Sequence, residues 1–536
     1  MRNLERDGAA NQTGGSAARG GLTQRLAGHV SVAGGGADGA RAEIPVEEPF
    51  TGAEFGRVPK CGPEDVEEAA RRARVAQRSW RHWSHADRAR IFLRLHDLIL
   101  DWQEEALDLI QREGGKARRH GLEEVIDVAL VSRYYAHTAA GHLRPRRRQG
   151  AFPVVTTTRE YRHPKGLVGF IVPWNYPLTL AISDAIPALL AGNAALVKPD
   201  SQTPFTALWV AELLYEAGLP RDLLQIVTGE GRELGGPIIE NSDYLMFTGS
   251  TATGRVLARQ CGERLIDCSM ELGGKNAMIV RRDADPKSAS EGARRACFGA
   301  AGQLCISVER LYVHEDVYQQ FVRDFVERTR SMQINGEIGY GAEMGSLVSA
   351  DQLETVQGYV NDAIEKGAQI LAGGRHRPDL GPYFHEPTIL TGVTPDMRLY
   401  AEETFGPVVY VESVASDNEA VEKANDSDYG LNFSIWTKDT EAGEELATQL
   451  EAGTVNINEA YAATWGSTDA PMGGFKDSGL GRRHGAEGIL KYTEAQTVST
   501  QRILPMAPPP GVGDQAYARL MSAAMKRVLK RLPGHR

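Results

Sequence analysis

The sequence predicts an α/β chain built from two successive parallel-sheet units with a cleft between them. Two alternations of apolar runs and helical segments carry this prediction, and a β-branched stretch adds an arm. Short apolar runs at Leu167–Val172, Ala194–Val197, Leu224–Val227 and Tyr244–Phe247 are separated by helical segments such as Thr206–Ala217. That rhythm belongs to a parallel sheet with helices on both faces. A second alternation starts at Asn276–Val280 and continues through a helix at Pro286–Ala301, a strand at Arg310–Val313 and a helix from Glu315 to Met332. The stretch Pro153–Arg162 (PVVTTTREYR) is β-branched and aromatic, which predicts an extended strand.

The remaining elements follow in order. Residues 1–41 are rich in Gly, Ala and Arg, lack the apolar core of a secretory signal, and are expected to form a mobile leader. From Asp87 to Gly114 the residues Ile91, Phe92, Leu95, Leu98, Ile99, Trp102, Ala106, Leu109 and Ile110 recur at helical spacing, and Gly114-Gly115 ends the helix. A second helical pattern runs from Glu123 to Ala140. At the far end, Pro505–Gly513 is a Pro/Gly linker, and Gln515–Leu532 is a basic amphipathic helix. Two readings of that helix stay open: docking on the protein's own surface or a neighbouring subunit, and peripheral membrane contact.

Composition narrows the function classes. The 536 residues are 42% hydrophobic and 24% charged, as in an ordinary globular protein. A formal net charge of −10 argues against a nucleic-acid binder, which would need clustered Lys and Arg. No apolar run is long enough to span a bilayer. The five cysteines form no C-x2-C metal pair, so no metal is expected, and their odd number suits a cytoplasmic enzyme with free thiols.

Two residues draw chemical attention. Cys305, in Gly302-Gln303-Leu304-Cys305, follows a helical segment and a flexible glycine, which places a thiol on an accessible turn. Cys297 lies in the apolar setting RACFGAAG and reads as structural. Glu271 ends an apolar run and is followed by Gly273-Gly274, where the backbone can turn sharply and approach a ligand closely. A thiolate that attacks an aldehyde needs donors for the oxyanion, a hydride acceptor and a base to cleave the thioester. Either residue alone has a bland alternative as a buried thiol or a surface carboxylate.

Together with other motifs they resemble the aldehyde dehydrogenase superfamily. Those motifs are Pro173-Trp174-Asn175-Tyr176-Pro177, Lys198-Pro199, Phe247–Gly254 (FTGSTATG), Met270–Asn276 (MELGGKN), Glu402–Pro407 (EETFGP), Asn425–Leu431 (NDSDYGL) and Pro471–Gly485. The resemblance covers about residues 45–500 in family order. It implies a Rossmann-like cofactor domain from 42–145 and 164–273, a catalytic domain from 274–470, and oligomerisation strands at 146–163 and 486–501 that pair across subunits in a homodimer or homotetramer. Residues 505–536 lie outside it. It further implies that Cys305 is the nucleophile, Glu271 the base and Asn175 an oxyanion donor beside the Cys305 backbone N–H. Pro173, Trp174, Lys198, Ser201, Gly249, Ser250, Gly254, Leu272, Glu403 and Phe405 would hold the nicotinamide cofactor. Gly249 and Gly254 bracket a turn into a helix whose N-terminus can meet a pyrophosphate.

NAD-preferring relatives usually carry Glu where this chain has Ser201. A small hydroxyl near Lys198 would accept a 2′-phosphate that a carboxylate would repel, so NADP is expected, with NAD possible and Asp200 a counter-argument. The runs KPDSQTP and GQLCISVER are similar to the succinate-semialdehyde dehydrogenase branch. The arginines that grip succinate semialdehyde in that branch, however, correspond to Ser183 and Gly299 here. Asp184 and Arg483 also depart from the family's usual Lys and Glu. Oxidation of succinate semialdehyde to succinate is the expected reaction. A broad-specificity aldehyde dehydrogenase and an inactive ligand-binding scaffold are the alternatives. A CoA-acylating enzyme would not need Glu271, and a cysteine hydrolase would leave Lys198 and Glu403 without a purpose.

Overall fold

The computed structural model describes residues 15–33, 41–150, 156–501, 507–527 and 529–531. Two sheets organise the chain. The first has six strands in the spatial order Gly479–Leu480, Asp267–Glu271, Tyr244–Thr248, Leu167–Ile171, Ala194–Lys198 and Leu224–Ile226. All run parallel except Gly479–Leu480, which pairs antiparallel to Asp267–Glu271. Its five-residue strands at 167–171, 194–198 and 244–248 are buried throughout, which explains their continuous apolar character.

The second sheet has seven strands, ordered Gln369–Ala372, Thr388–Thr391, Val408–Val414, Val308–His314, Asn276–Val280, Asn432–Trp436 and Thr454–Ile457. Only the edge strand Gln369–Ala372 is antiparallel. The short stretch Leu272–Lys275 joins the carboxyl end of Asp267–Glu271 to the amino end of Asn276–Val280, and the chain returns to the first sheet between Thr454–Ile457 and Gly479–Leu480.

Several elements differ from the sequence expectation. The leader expected to be mobile over 1–41 contains a helix, Gly15–Ala27, that docks on the body. Leu26 is wholly buried, and Ser31 closes the open edge of Leu224–Ile226: its N–H donates to Ile226 O (2.7 Å) and its Oγ accepts from Ile226 N (3.1 Å). An unpaired edge is a liability, and covering it stabilises the sheet. Composition hid this because Leu22, Leu26 and Val30 are diluted by glycine and alanine.

The single helix expected over 87–114 is two helices, His85–Asp101 and Gln103–Gly114, broken at Trp102 (φ −106°, ψ 18°) without a Gly or Pro to mark the break. The arm strands pair with each other inside one chain: Thr493–Gln501 runs antiparallel to Thr156–Pro164, and Arg146–Arg148 lies on its other side. Residues 151–155 of the predicted strand lie outside the described residues. The C-terminal strand starts at Thr493, not near 486, because Gly485–Leu490 is a helix that turns Ile489 and Tyr492 into the core.

Among the described residues of the tail helix Asp514–Arg527 none is fully buried, with Leu520 65% and Met525 58% exposed. Residues 528 and 532 of that expected helix lie outside the described set. No helix among the described residues is long and apolar enough to cross a membrane.

Candidate active site

The first sheet starts at Leu167–Ile171, grows outward to Ala194–Lys198 and Leu224–Ile226, then crosses back to Tyr244–Thr248 and Asp267–Glu271. The strand order reverses between Leu167–Ile171 and Tyr244–Thr248, and such a switch point opens a ligand crevice at the carboxyl strand ends. Pro173, Trp174 and Asn175 follow the first of these strands, Gly249 and Ser250 the second, and Glu271 ends the third.

The loop that carries Cys305 reaches the same region from the second sheet. Helix Pro286–Phe298 stops three residues before the expected Ala301, because Ala300 (φ 49°) and Ala301 (φ 56°) turn left-handed. Each such residue costs about 1–2 kcal/mol, so the surrounding fold must hold the turn. Gly302 continues it at φ 71°, and a Cβ there would stand 2.1 Å from Gly406 O, so only glycine fits. Cys305 emerges half-buried just before strand Val308–His314.

Two side chains pin this loop. Asn276 Nδ2 donates to Cys305 O and Ser307 O (both 2.7 Å), and its Oδ1 accepts from Asn432 N (2.9 Å). Asn175 Nδ2 donates to Gln303 O (3.1 Å), while its buried Oδ1 has no partner. Gly274 lets the backbone pass: a Cβ there would lie 2.5 Å from Cys305 O. Burial, with the charges of Glu403 and Glu271, pushes the Cys305 thiol up to about 12.

Glu271 is 5% exposed and its Oε1 has no partner. Burial raises its carboxyl to about 7, against the opposing pull of Arg483 and Lys491. Those cations are a feature the sequence reading left as isolated departures. Arg483 Nη2 lies 3.0 Å from Asp184 Oδ2, and Lys491 Nζ lies 3.5 Å from Asp184 Oδ1, with all three side chains 10% exposed or less. The signal was present: Asp and Arg stand where Lys and Glu are usual, a reversal of both signs.

The cofactor candidates lie on the segments that follow these strand ends and on the Glu402–Pro407 turn. Lys198 is buried at its strand end and donates only to Pro199 O (2.9 Å); burial lowers its ammonium, while Asp200 and Glu230 oppose that. Glu230 was not among the sequence candidates. The Ser201 hydroxyl donates to Gly229 O (3.1 Å). Ser250 caps helix Thr251–Arg264 by accepting from Thr253 N (3.3 Å). Gly254 packs on Leu272, whose Cδ2 would lie 2.5 Å from a Cβ, so this glycine serves helix packing and does not bracket the turn itself.

Opposite them, Glu403 Oε1 accepts from Gly274 N (2.8 Å), and burial beside Glu309 pushes its carboxyl to about 8. Phe405 meets the Trp174 ring edge-on at 5.5 Å. Its left-handed backbone (φ 49°) is held because Glu309 accepts from Thr404 N and Phe405 N while pairing with Lys275 Nζ (2.5 Å). Cys305, Asn175, Glu271 and Glu403 thus sit on segments that contact one another where the two sheets join, while Lys198 and Ser201 stand at the end of strand Ala194–Lys198.

The sequence profile described as the aldehyde dehydrogenase family matches residues 37–498. The chain belongs to that family. As an aldehyde dehydrogenase it is 55% identical over 495 residues to a Mycolicibacterium smegmatis protein that bears the provisional name succinate-semialdehyde dehydrogenase (NADP+), covering 92% of this chain and 96% of that one. Solved structures share its fold. A succinate-semialdehyde dehydrogenase from Burkholderia pseudomallei superposes with a TM-score of 0.81 at 33% identity, over 86% of this chain and 95% of that one. An aldehyde dehydrogenase from Bacillus cereus in complex with NAD+ gives 0.82 at 34% identity, over 86% and 93%. This aldehyde dehydrogenase therefore takes an aldehyde as its substrate and is an oxidoreductase.

Proposed function

We propose that the enzyme oxidises succinate semialdehyde to succinate with NADP, using Cys305 as nucleophile, Asn175 as oxyanion donor and Glu271 as base. The observation that carries the catalytic roles is the pairing of a half-buried thiol with a buried carboxyl that keeps one oxygen unpartnered at the junction of the two sheets. The Cys305 thiol first gives up its proton, and the thiolate sulfur bonds the carbonyl carbon, whose π electrons move to the oxygen. The Asn175 amide, already facing the Cys305 loop, and the Cys305 backbone N–H hold the oxyanion; such a donor contributes about 2.7–4 kcal/mol to the barrier. A bound NADP supplies the hydride acceptor. Glu271 then takes a proton from the water that cleaves the Cys305 thioester, which a carboxyl near 7 does well at neutral pH.

The crevice suits an anionic dinucleotide. Lys198 has spare ammonium protons, the N-terminus of helix Thr251–Arg264 lies at the switch point, and Glu403 and Phe405 stand opposite. Trp174, Pro173 and Leu272 wall the same space. Ser201 in place of a carboxylate favours the 2′-phosphate, while the carboxylates Asp200 and Glu230 near Lys198 oppose it and keep NAD as the alternative cofactor.

Free thiols at all five cysteines fit a cytoplasmic enzyme. The exposed strand Thr493–Gln501 at the edge of the arm sheet fits pairing with a second subunit in a homodimer or homotetramer. The test is a panel of aldehydes with NADP and NAD, with and without CoA, read as growth of reduced cofactor. A strict CoA requirement, or a kcat/KM higher for NAD than for NADP, refutes the respective part.

A further inference from the structure

A cavity of about 250 Å³ opens beside Gly299 and is lined by Arg119, His120, Glu123 and Arg295 among others. It touches the reactive loop from two sides: Gly299 starts the turn that leads to Cys305, and Tyr176, which follows Asn175, reaches Glu123. A Cβ on Gly299 would stand 3.1 Å from the Tyr461 hydroxyl and 3.5 Å from His120 Cε1. A side chain at 299 would start in tight contact with the phenol and beside the imidazole.

One helical turn earlier on the same helix stands Arg295. Its guanidinium lies 5.4 Å from the Tyr461 ring, with Nη1 3.0 Å from Glu459 Oε1 and Nη2 3.8 Å from Glu123 Oε1. Glu123 accepts from the hydroxyls of Tyr461 (3.0 Å) and Tyr176 (3.1 Å). His120, 5% exposed, holds its Nδ1 3.7 Å from Glu123 Oε1 without a hydrogen-bond partner. The protein's own carboxylate therefore rests in a nest of phenols, guanidinium and imidazole that matches a carboxylate ligand. Only one arginine contact there is within hydrogen-bond reach, which leaves donors of the fork unused. The other arginines of the cavity are engaged elsewhere: Arg294 with Glu291 and Glu343, and Arg119 with Glu343 (3.6 Å).

We propose that Arg295 and His120 bind the far carboxylate of an ω-carboxylated aldehyde, and that Glu123 is an internal competitor holding the nest until substrate arrives. This anchor rests on the substrate reading above and replaces the arginines missing at 183 and 299. It is tested with intact enzyme by one ratio, kcat/KM for succinate semialdehyde over kcat/KM for butanal, in wild type, Arg295→Gln and Glu123→Gln. Loss of folded protein lowers both terms and cancels, so the ratio isolates the carboxylate. Arg295→Gln is expected to lower the ratio by more than about fivefold, and Glu123→Gln to raise it by more than about twofold. A smaller fall in Arg295→Gln overturns the anchor while the substrate reading stands. An unchanged or lower ratio in Glu123→Gln overturns the competitor role. A wild-type ratio at or below unity removes the substrate reading and the anchor with it.

Discussion

Replacing Glu309 by Gln tests how firmly the turn that carries Glu403 and Phe405 is held. Glu309 is 3% exposed and accepts from Thr404 N (2.9 Å), Phe405 N (3.1 Å) and Lys275 Nζ (2.5 Å). Lys275, 1% exposed, also donates to the Thr404 hydroxyl at 3.1 Å. An amide at 309 removes the counter-charge and points an NH2 group at a cluster of donors. Breaking a buried pair by removing one partner costs about 3–5 kcal/mol. At about 1.4 kcal/mol per decade, that is a rise of roughly two to three and a half decades in the local opening equilibrium. Amide hydrogen exchange over Thr404 and Phe405 should accelerate accordingly, and cofactor affinity should fall with it. Joining Lys275→Met to Glu309→Gln removes the stranded cation and should recover part of the loss. Acceleration of less than about fivefold (~1 kcal/mol), or a double variant as labile as the single one, would refute the argument that this pair fastens the turn.

Other expectations follow from the same geometry. Because the Cys305 thiol is pushed up to about 12, alkylation of the free enzyme by iodoacetamide should rise about tenfold per pH unit from pH 7 to 9, and a plateau within that range would contradict it. Glu271, raised to about 7, is protonated and idle as a base below that pH, so steady turnover should climb as pH rises through about 7. Glu271→Gln should keep a burst of reduced cofactor yet lose about 10²-fold or more in the steady rate; equal steady rates would remove Glu271 from the mechanism. Ser201→Glu should shift kcat/KM from NADP toward NAD by about tenfold or more through repulsion of the 2′-phosphate, and an unchanged ratio would discard that position as the selector. Leu26→Ala should lower stability by about 2–5 kcal/mol in a denaturant titration, whereas a loose leader would show no change.

What the sequence made legible is what local chemistry dictates. The buried strands at 167–171, 194–198 and 244–248 read directly because a strand covered on both faces is apolar at every position. Cys305 and Glu271 drew notice through the glycines beside them but stood out only with the other motifs of the family, and the close approaches at Gly274 and Gly302 show why those glycines are required. What was not legible depends on partners distant in the chain. Nothing near Ser31 reveals that it closes a sheet edge at Ile226, and Glu309 reads as an ordinary strand carboxylate until Lys275 and the Thr404 and Phe405 amides surround it. Nor does anything near Gly254 reveal that Leu272 fills the space a Cβ would need there.

Asp184 and Arg483 show why a departure from a family pattern is better weighed in pairs. Arg483 without Asp184 would be a buried cation short of its nearest counter-charge, at a cost of several kcal/mol. Together they make a 3.0 Å ion pair, and Lys491 adds a second cation, so the group retains one net positive charge next to the Glu271 carboxyl. Arginine does not release its proton in proteins, so Arg483 acts on Glu271 through its charge and not by taking a proton from it. Burial alone would drive the Glu271 carboxyl higher and leave it protonated at neutral pH. The fixed cations oppose that drift, and the balance near 7 is what keeps a buried carboxyl able to accept a proton from water while leaving its Oε1 unoccupied.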